Sequence, residues 1–326
     1  MTRPALSVNR LAQPLLEALV RDADRLRIRA GRDAGGVLLV DAGIACAGSI
    51  AAGLRIAGLC MGGLGEVALL GGAREGWPSW LHVHSSQPVL ACMASQYAGW
   101  SLSASKEDTG GKKFFALGSG PARALANKEP LFAELGYRDD AEHGVLVLEV
   151  DRAPPTVIIE KVLRDCGLAP AGLGIVLTPT ASLAGTTQIV ARVLEVALHR
   201  AHALHFALAD IVEGSACVPL PAPGADTLAA MGHTNDAILY GGQVHLSVTG
   251  DADAARQLAR DLPSANSTDH GRSFRDLFEA AGHDFYKLDA TLFAPAEVWV
   301  SHIGSGQTWH AGALRMDLLL GLWQAA

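Results

Sequence analysis

Short apolar runs mark the strands that the sequence predicts. Residues 37–40 and 174–178 form continuous apolar runs, which is typical of strands buried on both faces. Over 241–249, apolar residues alternate with polar ones, and this predicts a strand with one buried face. Residues 143–150 and 156–162 predict an antiparallel hairpin, 297–303 a further strand, and the glycine-rich stretch 48–72 strands broken by bends.

Helical periodicity marks the other elements. Leucines spaced three or four apart predict a helix from Ser7 to about residue 28, with Ser7 as its cap. The strongest helical pattern runs over 182–208, and further helices are expected over 251–262, 272–281 and 313–323. Strands and helices mix without strict alternation. We therefore predict a mixed α/β (α+β) fold in two α/β domains, 1–175 and 176–326, with an uncertain boundary and segments that can interchange.

Composition narrows the class of protein. Of 326 residues, 49% are hydrophobic and 18% charged, so the chain can bury a sizeable core and is not disordered. A net charge of −7 without a basic patch gives no footprint for nucleic acid. Five cysteines without CxxC spacing indicate reduced thiols in a cytosolic protein. With no secretory signal and no apolar stretch long enough for a membrane, we expect a cytoplasmic protein without membrane or nucleic-acid partners.

Several catalytic and cofactor motifs are missing from the sequence. Neither G-x-S-x-G nor H-E-x-x-H occurs, so a nucleophile elbow and a zincin site are unsupported. Residues 63–68 fit the dinucleotide fingerprint superficially, but no acidic residue follows at the required distance of about 20 residues. Tight backbone packing is the better interpretation of these glycines.

Histidines offer one weak indication of a metal site. His199, His202 and His205 recur every three residues, so on a helix of 3.6 residues per turn they drift around the axis instead of converging. His199 and His202 can still share a face. A surface or core-edge role is the favoured interpretation, and the pair His82 and His84 is a weaker hint still. We expect no metal and no cofactor.

Two segments have both a catalytic and a structural interpretation. Arg192 and Glu195 share a face of the predicted helix, either as an ordinary salt bridge or as a general base held in orientation by an arginine. Residues 118–123 form either an anion-binding turn or a structural turn.

Several segments, which follow one another over nearly the whole chain, are weak signals individually but specific when they occur together. They are Ser7-Val8-Asn9; the stretch from Asp41-Ala42-Gly43 to Gly72; 116–124 (Ala-Leu-Gly-Ser-Gly-Pro-Ala-Arg-Ala); 180–185 (Thr-Ala-Ser-Leu-Ala-Gly) leading into 188–195; 232–242 (Gly-His-Thr-Asn-Asp-Ala-Ile-Leu-Tyr-Gly-Gly); and Asp284-Phe285-Tyr286 with 292–296. Together these segments resemble the methenyltetrahydromethanopterin cyclohydrolase family. Residues 269–274 and 313–315 differ from those typical of the family, which leaves the exact pterin carrier open.

The resemblance implies an activity and an assembly. Water adds to the amidinium carbon of methenyltetrahydromethanopterin, and the ring opens reversibly to the 5-formyl derivative in one-carbon metabolism. It implies a two-domain fold with the active site in the cleft, a homotrimer, and neither a metal nor a redox cofactor. The family's Arg-x-x-Glu pair maps onto Arg192 and Glu195, and this favours the general-base interpretation of the pair.

Substrate contacts are expected at a second set of residues. The 118–123 turn and the nearby lysines Lys106, Lys112 and Lys113 are candidates for the anionic tail of the pterin. The full set of expected contacts is Ser119, Gly120, Arg123, Lys112, Ser182, Gly185, Asn235 and Asp236. The alternatives are a non-catalytic tetrahydropterin-binding protein and a metal-dependent hydrolase that uses His199 and His202. A tetrahydrofolate cyclohydrolase is disfavoured by the missing dinucleotide fingerprint.

Overall fold

Strands of this computed structural model form two mixed sheets. In chain order the strands are β1 (Arg29–Arg32), β2 (Leu38–Asp41), β3 (Glu66–Arg74), β4 (Trp77–Ser85), β5 (Trp100–Ala104), β6 (Phe114–Ser119), β7 (Gly144–Leu148), β8 (Leu173–Leu177), β9 (Ile211–Pro219), β10 (Gln243–Val248), β11 (Glu297–His302) and β12 (Gln307–Gly312). Over the described residues, 6–284 and 287–324, one sheet has the order β1-β2-β8-β7-β6-β5 and the other β12-β11-β10-β9-β4-β3.

Helices fill most of the chain between the strands. They are α1 (Val8–Arg21), α2 (Ala23–Leu26), α3 (Ile50–Cys60), α4 (Lys106–Thr109), α5 (Ala122–Ala126), α6 (Pro130–Leu135), α7 (Thr156–Cys166), α8 (Leu183–Val190), α9 (Val193–Ala203), α10 (Thr227–Gly241), α11 (Ala252–Asp261), α12 (Phe274–Ala280) and α13 (Met316–Trp323). A π-helical segment spans Val89–Gln96. The mixed α/β class is therefore confirmed. Phe285 and Tyr286, which belong to one of the motifs above, lie outside the described residues.

Two compact units divide the chain. The first takes the residues up to Leu64 together with 90–185, and the second takes 65–89 together with the residues from 186 onward. This division differs from the expected boundary after residue 175. The reason is that β4 pairs with β9, so the β3–β4 hairpin belongs to the sheet of the second unit.

The first unit buries both faces of the central strands of its sheet. Strands β2, β8 and β7 are parallel neighbours, and helices cover them on either side. On β7, Val145 and Val147 pack with residues of α1 and α3, whereas Leu146 and Leu148 pack with residues of α5 and α7. A strand with helices on both faces needs apolar residues at every position, which confirms the strands expected over 37–40, 143–150 and 174–178.

The second unit buries one face of its central strands. Val244, Leu246 and Val248 of β10 are buried, while the residues between them are partly or fully exposed, and β11 shows the same alternation. Helix α9 packs on β9 and β10, and α11 packs on β11 and β12. The expected strand over 241–249 is thus confirmed with its single buried face.

Three expected elements were wrong in whole or in part. The first part of the stretch 48–72 forms helix α3, capped by Ser49, because burial of its apolar residues outweighs the low helix propensity of its glycines, and the expected strand is found only from Glu66 onward, in β3. Residues 156–162 begin helix α7 instead of forming a hairpin strand; Ile158, Ile159 and Val162 lie on one helical face in the core. The single helix expected over 182–208 is two helices, α8 and α9, which are separated at Ala191 and Arg192.

Helix ends follow local sequence signals more closely. Ser7 caps α1 as expected, since its hydroxyl accepts a hydrogen bond from the Arg10 N–H at 3.1 Å, although α1 ends at Arg21 instead of near residue 28. The helices expected over 251–262, 272–281 and 313–323 correspond to α11, α12 and α13. In the described part of the chain, no helix has both the length and the apolarity that crossing a membrane requires.

Candidate active site

Arg192 and Glu195 lie together where helix α9 begins. Arg192 immediately precedes α9, and its carbonyl oxygen accepts a hydrogen bond from the Val196 N–H at 2.8 Å. Glu195 lies in the first turn, with its carboxylate 4.0 Å from the Arg192 guanidinium. The N–H groups at a helix N-terminus carry partial positive charge, so this end of α9 favours an ionised carboxylate. The break between α8 and α9 therefore creates the electrostatic setting of the pair.

Burial distinguishes this pair from an ordinary surface salt bridge. Only 7% of Arg192 and 5% of Glu195 is exposed. The separation of 4.0 Å is longer than a hydrogen bond but within range of strong attraction in a poorly solvated site. Removal of one partner from such a pair leaves an uncompensated charge. The geometry thus places a guanidinium 4.0 Å from a buried carboxylate at the start of a helix.

The three histidines after Glu195 have different environments. His199 and His202 are half-buried on α9, whereas His205 lies beyond the helix, exposed and in left-handed backbone with φ 60°. Burial, and then the proximity of His202, lower the pKa of His199, so its imidazole is uncharged at neutral pH. Within 6–284 and 287–324, no group of three or more His, Cys, Asp or Glu residues is arranged to hold a metal ion.

Ser119, Gly120 and Arg123 come together, but their polar groups face protein. The Ser119 hydroxyl donates to the Gln96 carbonyl at 2.6 Å, and the Gly120 N–H donates to the Ser95 carbonyl at 2.9 Å. The Arg123 guanidinium is fully buried and bonds both carboxylate oxygens of Glu129. Glu129, which no motif marks in the sequence, is thus the partner of Arg123. The geometry supports the structural interpretation of this turn.

Ser182 and Gly185 shape the loop that follows β8. The Ser182 hydroxyl donates to the Pro179 carbonyl at 2.8 Å and accepts from the Gly185 N–H at 2.9 Å. A side chain at position 185 would overlap the Pro179 carbonyl oxygen, so this turn requires glycine. These contacts account for both residues as loop-forming residues at the carboxyl end of a parallel strand, where α/β sheets commonly bind ligands.

Asn235 and Asp236 lie next to each other on α10. The Asn235 amide donates to the Met231 carbonyl at 2.8 Å and is half-buried. Asp236 is 3% exposed, and its carboxyl accepts a hydrogen bond from the Phe274 N–H at 2.8 Å, at the start of α12. One turn further, the Tyr240 hydroxyl accepts from the Gly271 N–H at 3.2 Å. Asp236 therefore holds α12 against α10 through this hydrogen bond.

Asp236→Asn should change how stability depends on pH. Burial raises the pKa of the Asp236 carboxyl from 3.8 to about 7, so the folded chain binds a proton that the unfolded chain has released. The stability that this raised pKa contributes to the folded state is complete below pH 3.8 and is lost as the pH rises through about 7. Asparagine keeps an acceptor for the Phe274 N–H without titrating. As the pH rises from 3.8 to about 7, we therefore expect the unfolding free energy of the wild type to fall relative to that of Asp236→Asn.

Urea unfolding at several pH values measures this effect. Asp253→Asn is a matched control, because it removes an exposed carboxylate, with 84% of its side chain accessible, from α11. A pH profile for Asp236→Asn parallel to that of the wild type would contradict the assignment of a raised pKa to this group.

Lys112 is the one expected contact on an exposed turn. It follows Gly110 and Gly111 and is exposed, as are Gly111 and Lys113. Of the expected residues, then, the structure brings together Arg192 with Glu195, Ser182 with Gly185, and Ser119 and Gly120 with Arg123. The polar groups of the last set and of Asp236 are directed at protein partners.

Comparison with known proteins identifies the family. The family described as "Cyclohydrolase (MCH)" matches residues 7–322. Methenyltetrahydromethanopterin cyclohydrolase of Methylobacillus flagellatus is 52% identical over 314 residues, covering 96% of this chain and 94% of that protein. The protein of the same name from Xanthobacter autotrophicus is 52% identical over 310 residues, covering 95% and 90%. That from Rhodopirellula baltica is 38% identical over 290 residues, covering 87% and 85%. This chain belongs to the methenyltetrahydromethanopterin cyclohydrolase family.

Proposed function

We propose that this chain catalyses the reversible hydrolysis of 5,10-methenyltetrahydromethanopterin to the 5-formyl derivative, a step of one-carbon metabolism. The observation that carries the proposal is the buried Arg192–Glu195 pair at the start of α9, in a chain that belongs to this family over nearly its whole length. The relatives compared above bear the name of this activity. A homotrimer and a cytoplasmic location, implied by the resemblance, are part of the same proposal.

The substrate needs little activation. Its reacting carbon belongs to a resonance-stabilised amidinium cation and is already electrophilic. Water attacks this carbon to form a C–O bond while Glu195, as general base, takes a proton from the water. The C–N bond then breaks, the second proton of the water passes to the departing ring nitrogen, and a formyl group remains. One proton is released in each hydrolytic turnover.

Arg192 acts through Glu195. Its positive charge, 4.0 Å from the carboxylate, favours the ionised form that a base requires. It also restricts the direction in which the carboxylate meets the water. A carboxylate near the substrate cation accelerates the reaction only if it interacts more strongly with the transition state than with the bound substrate. Orientation by Arg192 supplies this preference.

Contacts with the rest of the substrate are a separate part of the proposal. Lys112 is exposed and can meet an anionic tail, and Asn235 is half-buried on α10. Ser182 and Gly185 would act by shaping their loop. Ser119, Gly120 and Arg123 are engaged with neighbouring protein groups and would support the fold around them.

An absorbance assay of methenyl-pterin hydrolysis tests the proposal. Purified protein should hydrolyse the tetrahydromethanopterin substrate much faster than the matching tetrahydrofolate substrate. Binding of the pterin without hydrolysis would identify a non-catalytic binding protein. Equal rates on the two carriers would overturn the assigned substrate class.

Exhaustive chelation should leave this activity unchanged. The reacting carbon is electrophilic without a Lewis acid, and Glu195 can activate water as a base. Initial rates before and after treatment with a strong chelator, with metal content measured in both samples, check this expectation. Loss of activity that returns on addition of zinc would favour the metal-dependent hydrolase that uses His199 and His202.

A further inference from the structure

Helix α9 carries a polar stripe that continues beyond Glu195. At about 100° per residue, Arg192, Glu195, His199 and His202 fall within an arc of roughly 80° on the helix surface. The buried apolar residues of α9 occupy the other side; they are Val193, Leu194, Ala197, Leu198 and Ala201. His199 and His202 are thus successive neighbours of the carboxylate along one face.

Exposure rises along this stripe. Glu195 is buried, His199 and His202 are half-buried, and His205, just past the helix, is exposed. Residues three and four apart on a helix have Cβ atoms about 5–6 Å apart, a separation that side chains span directly or through one water. The stripe therefore leads stepwise from a buried carboxylate towards solvent.

The proposed chemistry requires such a route. Hydrolysis leaves one proton on Glu195, which must be ionised again before the next water can be activated. With 5% of its surface exposed, Glu195 has little direct contact with bulk solvent. A neutral imidazole accepts a proton on one ring nitrogen and releases one from the other, and His199 is held in the neutral form.

We propose that His199 and His202 relay the proton of the reaction from Glu195 to solvent along α9. The inference rests on the proposed function and deepens it. Glu195–H transfers its proton to His199, His199 passes one to His202, and His202 releases it to water or buffer. Each transfer breaks one O–H or N–H bond and forms another, so no oxidant or other co-reactant is needed. In the reverse reaction, the same groups deliver the proton.

Turnover in weak buffer is the first test. His199→Ala should lower turnover roughly 10-fold, less than the about 10²–10⁴-fold expected for loss of a direct general base, with little change in KM. Added imidazole should restore the rate, whereas pyrazole, which has a similar shape but is a much weaker base, should not. His199→Gln provides a second, bulkier variant in case the alanine variant folds poorly, and melting curves check both.

Single-turnover experiments with a pH indicator provide a readout that a structural role would not change. In His199→Ala and His202→Gln, proton appearance in solution should lag behind loss of the methenyl absorbance. His205→Asn is the matched control and should behave as wild type, because it replaces an exposed imidazole with a residue that tolerates left-handed backbone.

The outcomes distinguish a failure of the proton relay from a failure of the proposed function. Normal turnover in weak buffer together with prompt proton release in the His199 variants would overturn the relay. Equal rescue by imidazole and pyrazole would also overturn it, since it would show that the added ring only fills a cavity. A wild-type protein without hydrolysis would overturn the proposed function itself, and that result is distinct from either failure of the relay.

Discussion

Glu195→Gln should lower turnover by about 10²–10⁴-fold, the usual contribution of a general base. Glutamine keeps the size and polarity of the side chain, and it can occupy the same position in the first turn of α9. It cannot take a proton from water. Initial rates at saturating substrate, with melting curves on the same samples, measure the effect; we expect the folded state to persist.

Arg192→Gln should also lose much of its turnover, and the double variant should lose little more than the single ones. The two residues act on one water, so their effects are not additive. Glu213→Gln on β9 is the matched control, because 46% of that side chain is exposed in the same unit. Normal turnover in Glu195→Gln with a lowered melting temperature would show that the buried pair serves only the fold.

Arg123→Ala should destabilise the protein by about 3–5 kcal/mol, the typical cost of breaking a buried ion pair by removing one partner. Arg123 is fully buried between Glu129 and the carbonyl oxygens of Met93 and Ser95, at 3.1 and 3.0 Å. Its removal leaves the Glu129 carboxylate, which is 11% exposed, without its cation. Urea unfolding monitored by circular dichroism measures the loss.

Arg164→Ala supplies the comparison for this prediction. Arg164 belongs to α7 in the same unit, and 68% of its side chain is exposed, so its removal should change stability by no more than about 0.5 kcal/mol. Unchanged stability of Arg123→Ala together with a raised KM would restore the expectation that Arg123 meets the tail of the substrate.

Sequence patterns predicted those elements whose surroundings are uniform along their length. The strand over 174–178 has helices on both faces, and its continuous apolar run follows directly from that environment. Helix α7 was not predicted because Thr156, Val157 and Ile158 are residues that favour strands locally. The helix forms because it buries Ile158, Ile159 and Val162 together in the core. Where long-range packing selects between two local possibilities, the sequence pattern alone is insufficient.

The candidate site was predictable in part. Spacing placed Arg192 and Glu195 on one face, but it did not show the break in the helix that puts Glu195 in a first turn. The ion pair of Arg123 with Glu129 was not predictable, because no motif marks Glu129 and the two side chains meet only in the folded structure. The partner of Asp236 could not be predicted for a similar reason, since it is a backbone N–H at the start of α12.

The pairing of β4 with β9 has a consequence for how the chain is made. During synthesis the β3–β4 hairpin leaves the ribosome long before residues 211–219, its partner in the sheet, are available. Until then β4 has an unpaired edge, and Leu81 and Val83, fully buried in the finished fold, lack the core that will cover them. The second unit can therefore assemble only late in translation, and until then the hairpin is an open sheet edge that is prone to wrong pairing.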